Sequence, residues 1–178
     1  MRLGAMRLPH YALIAALLAA PAGSALDVHT AAVVVDLHCD ALLDLQAGRR
    51  TLDRRSSRGH VDLPRLRQGG MDVQVFAAFV AQPAGGPARA RALIDTFHAA
   101  MRANASQIAH VTTVAGIERA QRDGKIAAVL SIENGDALGG DLRALDDLYR
   151  RGVRMLGLTW NHSNALGDGA HAREHGGL

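Results

Sequence analysis

Four short, almost continuously apolar runs, set apart by helix-length segments, constrain this chain more than any other feature. Residues 33–38 (VVVDLH), 72–80 (DVQVFAAFV), 126–132 (IAAVLSI) and 153–159 (VRMLGLT) are rich in β-branched and aliphatic side chains. Such runs suit strands buried on both faces, as in a parallel sheet. Between them the pattern turns helical. Residues 40–47 predict a short helix. Residues 51–70 read as a charged loop with a helical turn around 63–68, and Pro64 sits early in that turn, where its missing N–H costs nothing. Residues 88–109 predict a long helix with Leu93, Ile94, Phe97, Ala100, Met101 and Ile108 on one buried stripe. A shorter helix over 114–123 ends at Gly124. Asp141 is expected to cap a helix running to Arg151, with Leu142, Leu145, Leu148 and Tyr149 inward and Gly152 as the stop. Residues 160–178 are polar and rich in Gly and His, and read as loop.

Strand, helix, strand, helix predicts right-handed βαβ units, an α/β fold and parallel strands. An open doubly wound sheet announces itself by a Gly-rich phosphate loop after its first strand, and none follows residues 33–38. A TIM-type (β/α)₈ barrel places its chemistry at the C-terminal ends of its strands, where the ligand-type residues of this sequence fall. Four strands in 178 residues are too few for eight units, which take about 250 residues. The expected fold is half of such a barrel, incomplete in this chain.

With 48% hydrophobic and only 3% aromatic residues, one globular domain is expected, with a core of Ala, Val, Leu and Ile. The formal net charge is +3. Arg49, Arg50, Arg54, Arg55 and Arg58 have no aromatic residues interleaved, so they read as a solvated loop, and no nucleic-acid partner is expected. Residues 1–25 have the make-up of a secretory signal: Arg2 and Arg7, then an apolar run over 11–20, then small residues at 22–25. That run is shorter than the roughly 20 residues a membrane span needs. The expected organisation is a signal over 1–25 and a domain over 26–178, exported to a periplasm or secreted, with membrane association only if the signal stays uncleaved. Cys39 is the single cysteine, so no internal disulfide forms. It is expected to be buried in a strand and inert.

Three strand ends carry chemistry. In His38-Cys39-Asp40, alternate residues of an extended chain point the same way, so an imidazole and a carboxylate converge, a pairing that suits a divalent metal such as zinc. The competing reading is a surface histidine beside a helix-capping aspartate. Glu133, in Ser131-Ile132-Glu133-Asn134-Gly135, follows a buried strand, where a carboxylate is costly unless paired or metal-bound. The alternative is a loop glutamate facing solvent. Trp160, His162 and Asn164 follow the fourth strand and are candidates for substrate contact, against the alternative of a polar loop that satisfies its own backbone. His171 and His175 read as exposed loop residues. Asp62, in Gly59-His60-Val61-Asp62-Leu63-Pro64-Arg65, reads as structural or capping. No nucleophile motif is present.

Taken together, these motifs resemble a known family. Val35-Asp36-Leu37-His38-Cys39-Asp40 resembles the opening strand of membrane (renal) dipeptidases, peptidase family M19. Residues 60–70, running into Gln74-Val75-Phe76-Ala77, are similar to its second signature. Ser131-Ile132-Glu133-Asn134-Gly135 resembles its glutamate motif. Leu145, Tyr149, Gly152-Val153-Arg154 and Leu158-Thr159-Trp160-Asn161 resemble the helix, strand and loop that follow. The resemblance implies the N-terminal part of a (β/α)₈ barrel whose complete site holds two zinc ions and hydrolyses dipeptides. It implies His38 and Asp40 as ligands of one zinc and Glu133 as the bridge, hence catalytic. It places two further histidine ligands, and an arginine and an aspartate for substrate, beyond Leu178, so a chain of this length is expected to be inactive alone. Homodimerisation is an open option. Two departures stand out: Trp160 takes the place of a substrate-contacting histidine of animal members, with His162 two residues on, and the glutamate is followed by Asn134-Gly135-Asp136 where Gly-Gly-His is usual. The other readings are a different metal-dependent amide or lactam hydrolase on the same barrel, or a non-catalytic chain without a complete metal site.

Overall fold

The computed structural model describes residues 25–81, 84–173 and 176, so the expected signal lies outside the described residues apart from its last position. The chain divides into two compact units, Met1–Ala32 and Val33–Leu178. In the first, helix α1 spans Ala25–Ala31. Among the described residues no helix is long and apolar enough to cross a membrane.

The second unit is built on a five-stranded parallel sheet: β1 (Val35–Asp36), β2 (Val73–Phe79), β3 (Ile108–His110), β4 (Ile126–Glu133) and β5 (Val153–Leu156). β4 is central. Along its length β2 pairs with it in register, from Val73 opposite Ala127 to Phe79 opposite Glu133. On the other side β3 pairs with its first residues and β5 with Leu130 to Ile132. β1 pairs with β2 at the edge. The sheet is open and all-parallel, the arrangement expected of part of a barrel.

Helices α2 (Ala41–Gln46), α3 (Leu63–Gln68), α4 (Gly86–Ala103), α5 (Val114–Arg122) and α6 (Ala144–Arg150) alternate with the strands, and a 3₁₀ turn spans Gly135–Leu138. α4 carries the main stripe. Its Leu93, Ile94 and Phe97 are fully buried, and Phe97 meets Phe76 of β2 edge-on at 5.7 Å between ring centroids. Burying side chains of this size contributes about 1.5–3 kcal/mol each.

Three expectations need correction. The long helix stops at Ala103, not Ala109. Asn104 turns its amide back onto the Ala100 carbonyl, and a side chain that competes for backbone in this way ends helices. Ile108 is buried, as expected, but in β3. The last helix begins at Ala144, and Asp141 spends its carboxylate on Arg143 rather than on a helix cap. Of its expected inward face only Leu148 is buried, whereas Leu142, Leu145 and Tyr149 are exposed. The first strand is two residues long, and Val33, Val35 and Leu37 around it are exposed. An apolar run does not by itself guarantee two covered faces, because burial needs another layer packed on each face.

Two histidines fasten the turn between α6 and β5. His98 Nε2 lies 2.9 Å from the Arg151 carbonyl and His110 Nε2 lies 3.4 Å from that of Gly152, with 5.2 Å between ring centroids. Gly152 has φ +96°, and a Cβ there would lie 2.3 Å from His110 Cε1, so only glycine fits. Burial pushes the His110 pKa below its usual 6.5. The Gly152 carbonyl opposes this shift, and the charges of His98 and Arg154 reinforce it. The folded chain therefore resists a proton that the unfolded chain accepts. Stability is held above the usual imidazole value and lost as pH falls through the lowered one. Thermal unfolding measured from pH 7 to pH 5 should show a falling melting temperature, and H110Q should flatten that fall. A wild-type profile that is level over this range would contradict the account.

Candidate metal centre

The site forms where β1 and β4 end. β1 leads into a turn that its own neighbours fix. Asp36 Oδ1 accepts from the His38 backbone N–H at 3.0 Å, and Asp36 Oδ2 accepts from Gln74 Nε2 at 2.9 Å. Gln74 is completely buried in β2, opposite Asp36 in register. The Ala77 N–H donates to the Cys39 carbonyl at 3.0 Å. The side chain of Asp40 occupies the cap position of α2 and makes no capping hydrogen bond, which leaves its carboxylate available. Cys39 is buried just after β1 rather than within a strand. Burial pushes its thiol up to about 12, so it stays protonated and chemically quiet.

Glu133 is the last residue of β4. Its carbonyl accepts from the Val80 N–H at 3.1 Å. β2 lies between β1 and β4, and the residues before their ends, Ala77 and Ser131, are small. They share a face with Phe79 and Glu133 by strand alternation, which leaves room for the ends of β1 and β4 to meet. His38 Nε2 lies 3.2 Å from Glu133 Oε2 and 3.6 Å from Asp40 Oδ2. One ligating atom from each of His38, Asp40 and Glu133 falls within 4.8 Å of the other two, and among the described residues this is the one such group.

The electrostatics of the group are unfavourable without a cation. Glu133 Oε2 is buried with no aligned hydrogen-bond partner, although His38 stands at ion-pair distance. Burial, and then the charge of Asp40, push the Glu133 carboxyl above its usual range, with His38 acting in the opposite direction. An orphaned carboxylate oxygen, a second carboxylate and an imidazole form a donor set that fits a divalent metal such as zinc.

Beside the group lies a cleft of about 340 Å³, lined by Asp36, His38, Asp40, Asp44, Arg50 and His60 among others. A larger groove of about 560 Å³ between α4 and residues 50–53 contains none of His38, Asp40 or Glu133. Arg50 corrects the expectation of a wholly solvated arginine cluster. Its side chain is 4% exposed, its Nε lies 3.4 Å from Asp44 Oδ2, and its NH1 donates to the Val61 carbonyl. Asp44 stands six residues before it, a spacing with no local rule behind it.

The loop after β5 meets the same rim. Trp160 packs edge-on against Phe79, with 4.8 Å between centroids, and Phe79 is the register partner of Glu133. His162 and His171 are exposed and outside the ligand group, and His175 lies outside the described residues. Asn164 is engaged by its own surroundings: Nδ2 donates to Asn134 Oδ1 and the Leu158 carbonyl, and Oδ1 accepts from the Leu166 N–H. Asn134 joins the rim without being an expected site residue, and its one local signal is a non-glycine residue directly after Glu133.

Comparison with known proteins gives a consistent picture. The family described as membrane dipeptidase (peptidase family M19) matches residues 23–178. Dipeptidase verJ of Clonostachys rogersoniana is 29% identical over 145 residues, which is 72% of this chain and 37% of that protein. Human dipeptidase 3 is 30% identical over 125 residues, 68% of this chain and 25% of that protein. The crystal structure of a metallopeptidase from Rhodobacter sphaeroides, bound to a phosphinate mimic of the dipeptide L-Ala-D-Ala, superposes with a TM-score of 0.68. It shares 26% identity over 76% of this chain and 47% of that one. The chain thus spans less than half the length of each.

Proposed function

This chain belongs to the membrane dipeptidase family, peptidase family M19, and from that premise we propose that its rim of His38, Asp40 and Glu133 binds zinc for the hydrolysis of dipeptides. One observation carries the reading: three ligating atoms within 4.8 Å at the ends of β1 and β4, one of them a buried carboxylate oxygen without an aligned hydrogen bond. Zinc bound there supplies Lewis acidity that polarises an amide carbonyl and acidifies water. The protein's own residues do the rest. His38 offers an imidazole nitrogen on a backbone fixed by Asp36. Asp40 offers a carboxylate released from capping. Glu133 would offer a carboxylate with two oxygens, able to serve more than one metal in a complete site. Trp160 and His162 contribute to the substrate side, and the dipeptide mimic bound by the Rhodobacter sphaeroides relative supports that substrate class. Arg2, Arg7 and the apolar run after them support export.

Three protein ligands and one open position suit one catalytic zinc, and a second zinc needs ligands beyond these three. The chain as given is therefore expected to bind about one zinc, and hydrolysis of L-Ala-D-Ala is expected to depend on the second. H38A and D40N should each reduce bound zinc to near background, with the circular dichroism of the fold unchanged. Zinc analysis of the purified proteins, with a dipeptide assay beside it, tests this. Retention of zinc by both variants, or none in the wild type, would refute the proposed site.

A further inference from the structure

We infer that Asn134 is a positioning residue that locks the loop over residues 158–166 to Glu133, so that order in that loop and metal affinity at the rim are coupled. This rests on the metal reading above. Among the described residues Asn134 is the one non-glycine residue with positive φ, at φ 78° and ψ 117°. Asparagine tolerates positive φ better than most residues, yet this ψ lies outside the usual left-handed basin, so the surroundings must hold the residue there.

They do so through its side chain, which is 4% exposed. Nδ2 donates to the Val80 carbonyl at 2.7 Å and to Asp136 Oδ2 at 2.9 Å. Oδ1 accepts from the Asp136 N–H at 3.3 Å and from Asn164 Nδ2 at 3.0 Å. Both donors and both lone pairs of the amide are used. Val80 also donates its N–H to the Glu133 carbonyl at 3.1 Å, so one residue just beyond β2 grips Glu133 and Asn134 together.

Asn164 is the loop's side of the link, and two further contacts reinforce it. The Gly135 N–H donates to the Leu158 carbonyl at 3.1 Å. A Cβ on Gly135 would lie 2.4 Å from Leu166 Cδ1 and 2.6 Å from that same carbonyl oxygen, so the loop backbone sits directly on the residue two beyond Glu133. With Trp160 on Phe79, the loop holds the ends of both β2 and β4. Any ligand that fixes Glu133 then favours the ordered loop, and by linkage the ordered loop favours the ligand to the same degree.

The test uses Co²⁺ alone as the probe, with its visible absorption and affinity measured by titration, and amide hydrogen exchange over residues 158–166 with and without the ion. N134G keeps a backbone that accepts positive φ and removes the four hydrogen bonds. The expected results are slower exchange in the loop when Co²⁺ binds the wild type, and for N134G a loss of affinity of about 10- to 100-fold, the scale of outer-shell changes at metal sites. N134G should also show an altered absorption band and an exchange rate in the loop that no longer responds to the ion. N164A breaks the same link from the loop, without touching β4, and serves where N134G does not fold. Unchanged affinity and spectrum in these variants, beside a wild type that binds Co²⁺, would overturn this inference alone. Lost affinity with the wild-type exchange response would overturn the coupling through the loop. No binding by the wild type would overturn the metal reading and this inference with it.

Discussion

Replacing Glu133 by glutamine should raise the melting temperature of the metal-free chain and abolish its zinc binding. The two effects share one cause. Glu133 Oε2 is buried without an aligned hydrogen bond and faces the charge of Asp40, and an unsatisfied buried polar group costs about 1–3 kcal/mol. An amide of the same shape removes the repulsion and can donate to Asp40. Because the side chain is 23% exposed, the lower end of that range applies, worth roughly 2–4 °C in a chain of this size. Zinc affinity should fall by more than the roughly 10–100-fold that loss of an outer-shell partner costs, since a direct ligand is lost. The pH dependence separates the two effects. The folded-state carboxyl of Glu133 is raised above its usual 4.5, so the folded chain takes up that proton more readily than the unfolded one. The contribution of Glu133 to metal-free stability therefore rises as pH falls through the raised value, opposite in sign to that of His110. Zinc affinity runs the other way, because the proton competes for the ligand. In E133Q the Glu133 contribution to both dependences should vanish, leaving the fall that His110 imposes on stability. Melting curves with and without zinc over an acid pH series decide the matter. A variant that keeps its zinc, or melts lower than the wild type without it, would show that Glu133 is an ordinary strand-end glutamate.

How much of this the sequence discloses depends on how local the governing interaction is. Parallel strands and the gathering of ligand-type residues at their ends follow from periodicity and from where His38, Asp40 and Glu133 fall relative to the apolar runs. Asp62 reads correctly as a cap because its partners are three and six residues away. Two misreadings are local, at Asn104 and Asp141; the others involve surroundings across the fold. Ile108 sits at a helical spacing behind Met101, yet it joins a strand because Ile126 lies beside it. Leu145 and Tyr149 lie on the same apolar stripe as Leu148, but only Leu148 has a partner surface. Arg50 looks like its solvated neighbours until the Val61 carbonyl and Asp44 close around it. Asn134 is the strongest example. Its four hydrogen bonds reach the residue after β2, the 3₁₀ turn and the loop after β5, and no window of the sequence contains all three.

Asp62 offers the largest expected loss of stability. It lies in the second of the family-like motifs, which invites a chemical role, but its surroundings specify a folding role. It is completely buried. Oδ1 accepts from the Arg65 N–H at 3.0 Å and so caps α3, and Oδ2 accepts from the Ser56 N–H at 3.1 Å. The Arg65 guanidinium adds bonds to Oδ2 at 2.9 and 2.6 Å and reaches on to the Gly59 and Ser56 carbonyls. Asp62 and Arg65 therefore hold the loop over residues 56–62 onto the start of α3. Burial alone would raise the Asp62 carboxyl. The Arg65 guanidinium and the two backbone N–H groups outweigh it and hold the carboxyl below its usual 3.8. The stability it contributes is thus complete above that usual value and lost as pH falls through the lowered one. D62A should cost about 3–5 kcal/mol, the scale for removing one partner of a buried ion pair, and its melting temperature should lose the acid-side dependence that the wild type shows. D62N keeps the acceptor for the cap without the charge, and should cost less. The control is zinc affinity at a temperature where the variants remain folded. Asp62 is no member of the ligand group, so affinity should stay within a few-fold of wild type while stability drops. A collapse of zinc binding in a D62N chain that remains folded would place Asp62 in the chemistry rather than in the scaffold.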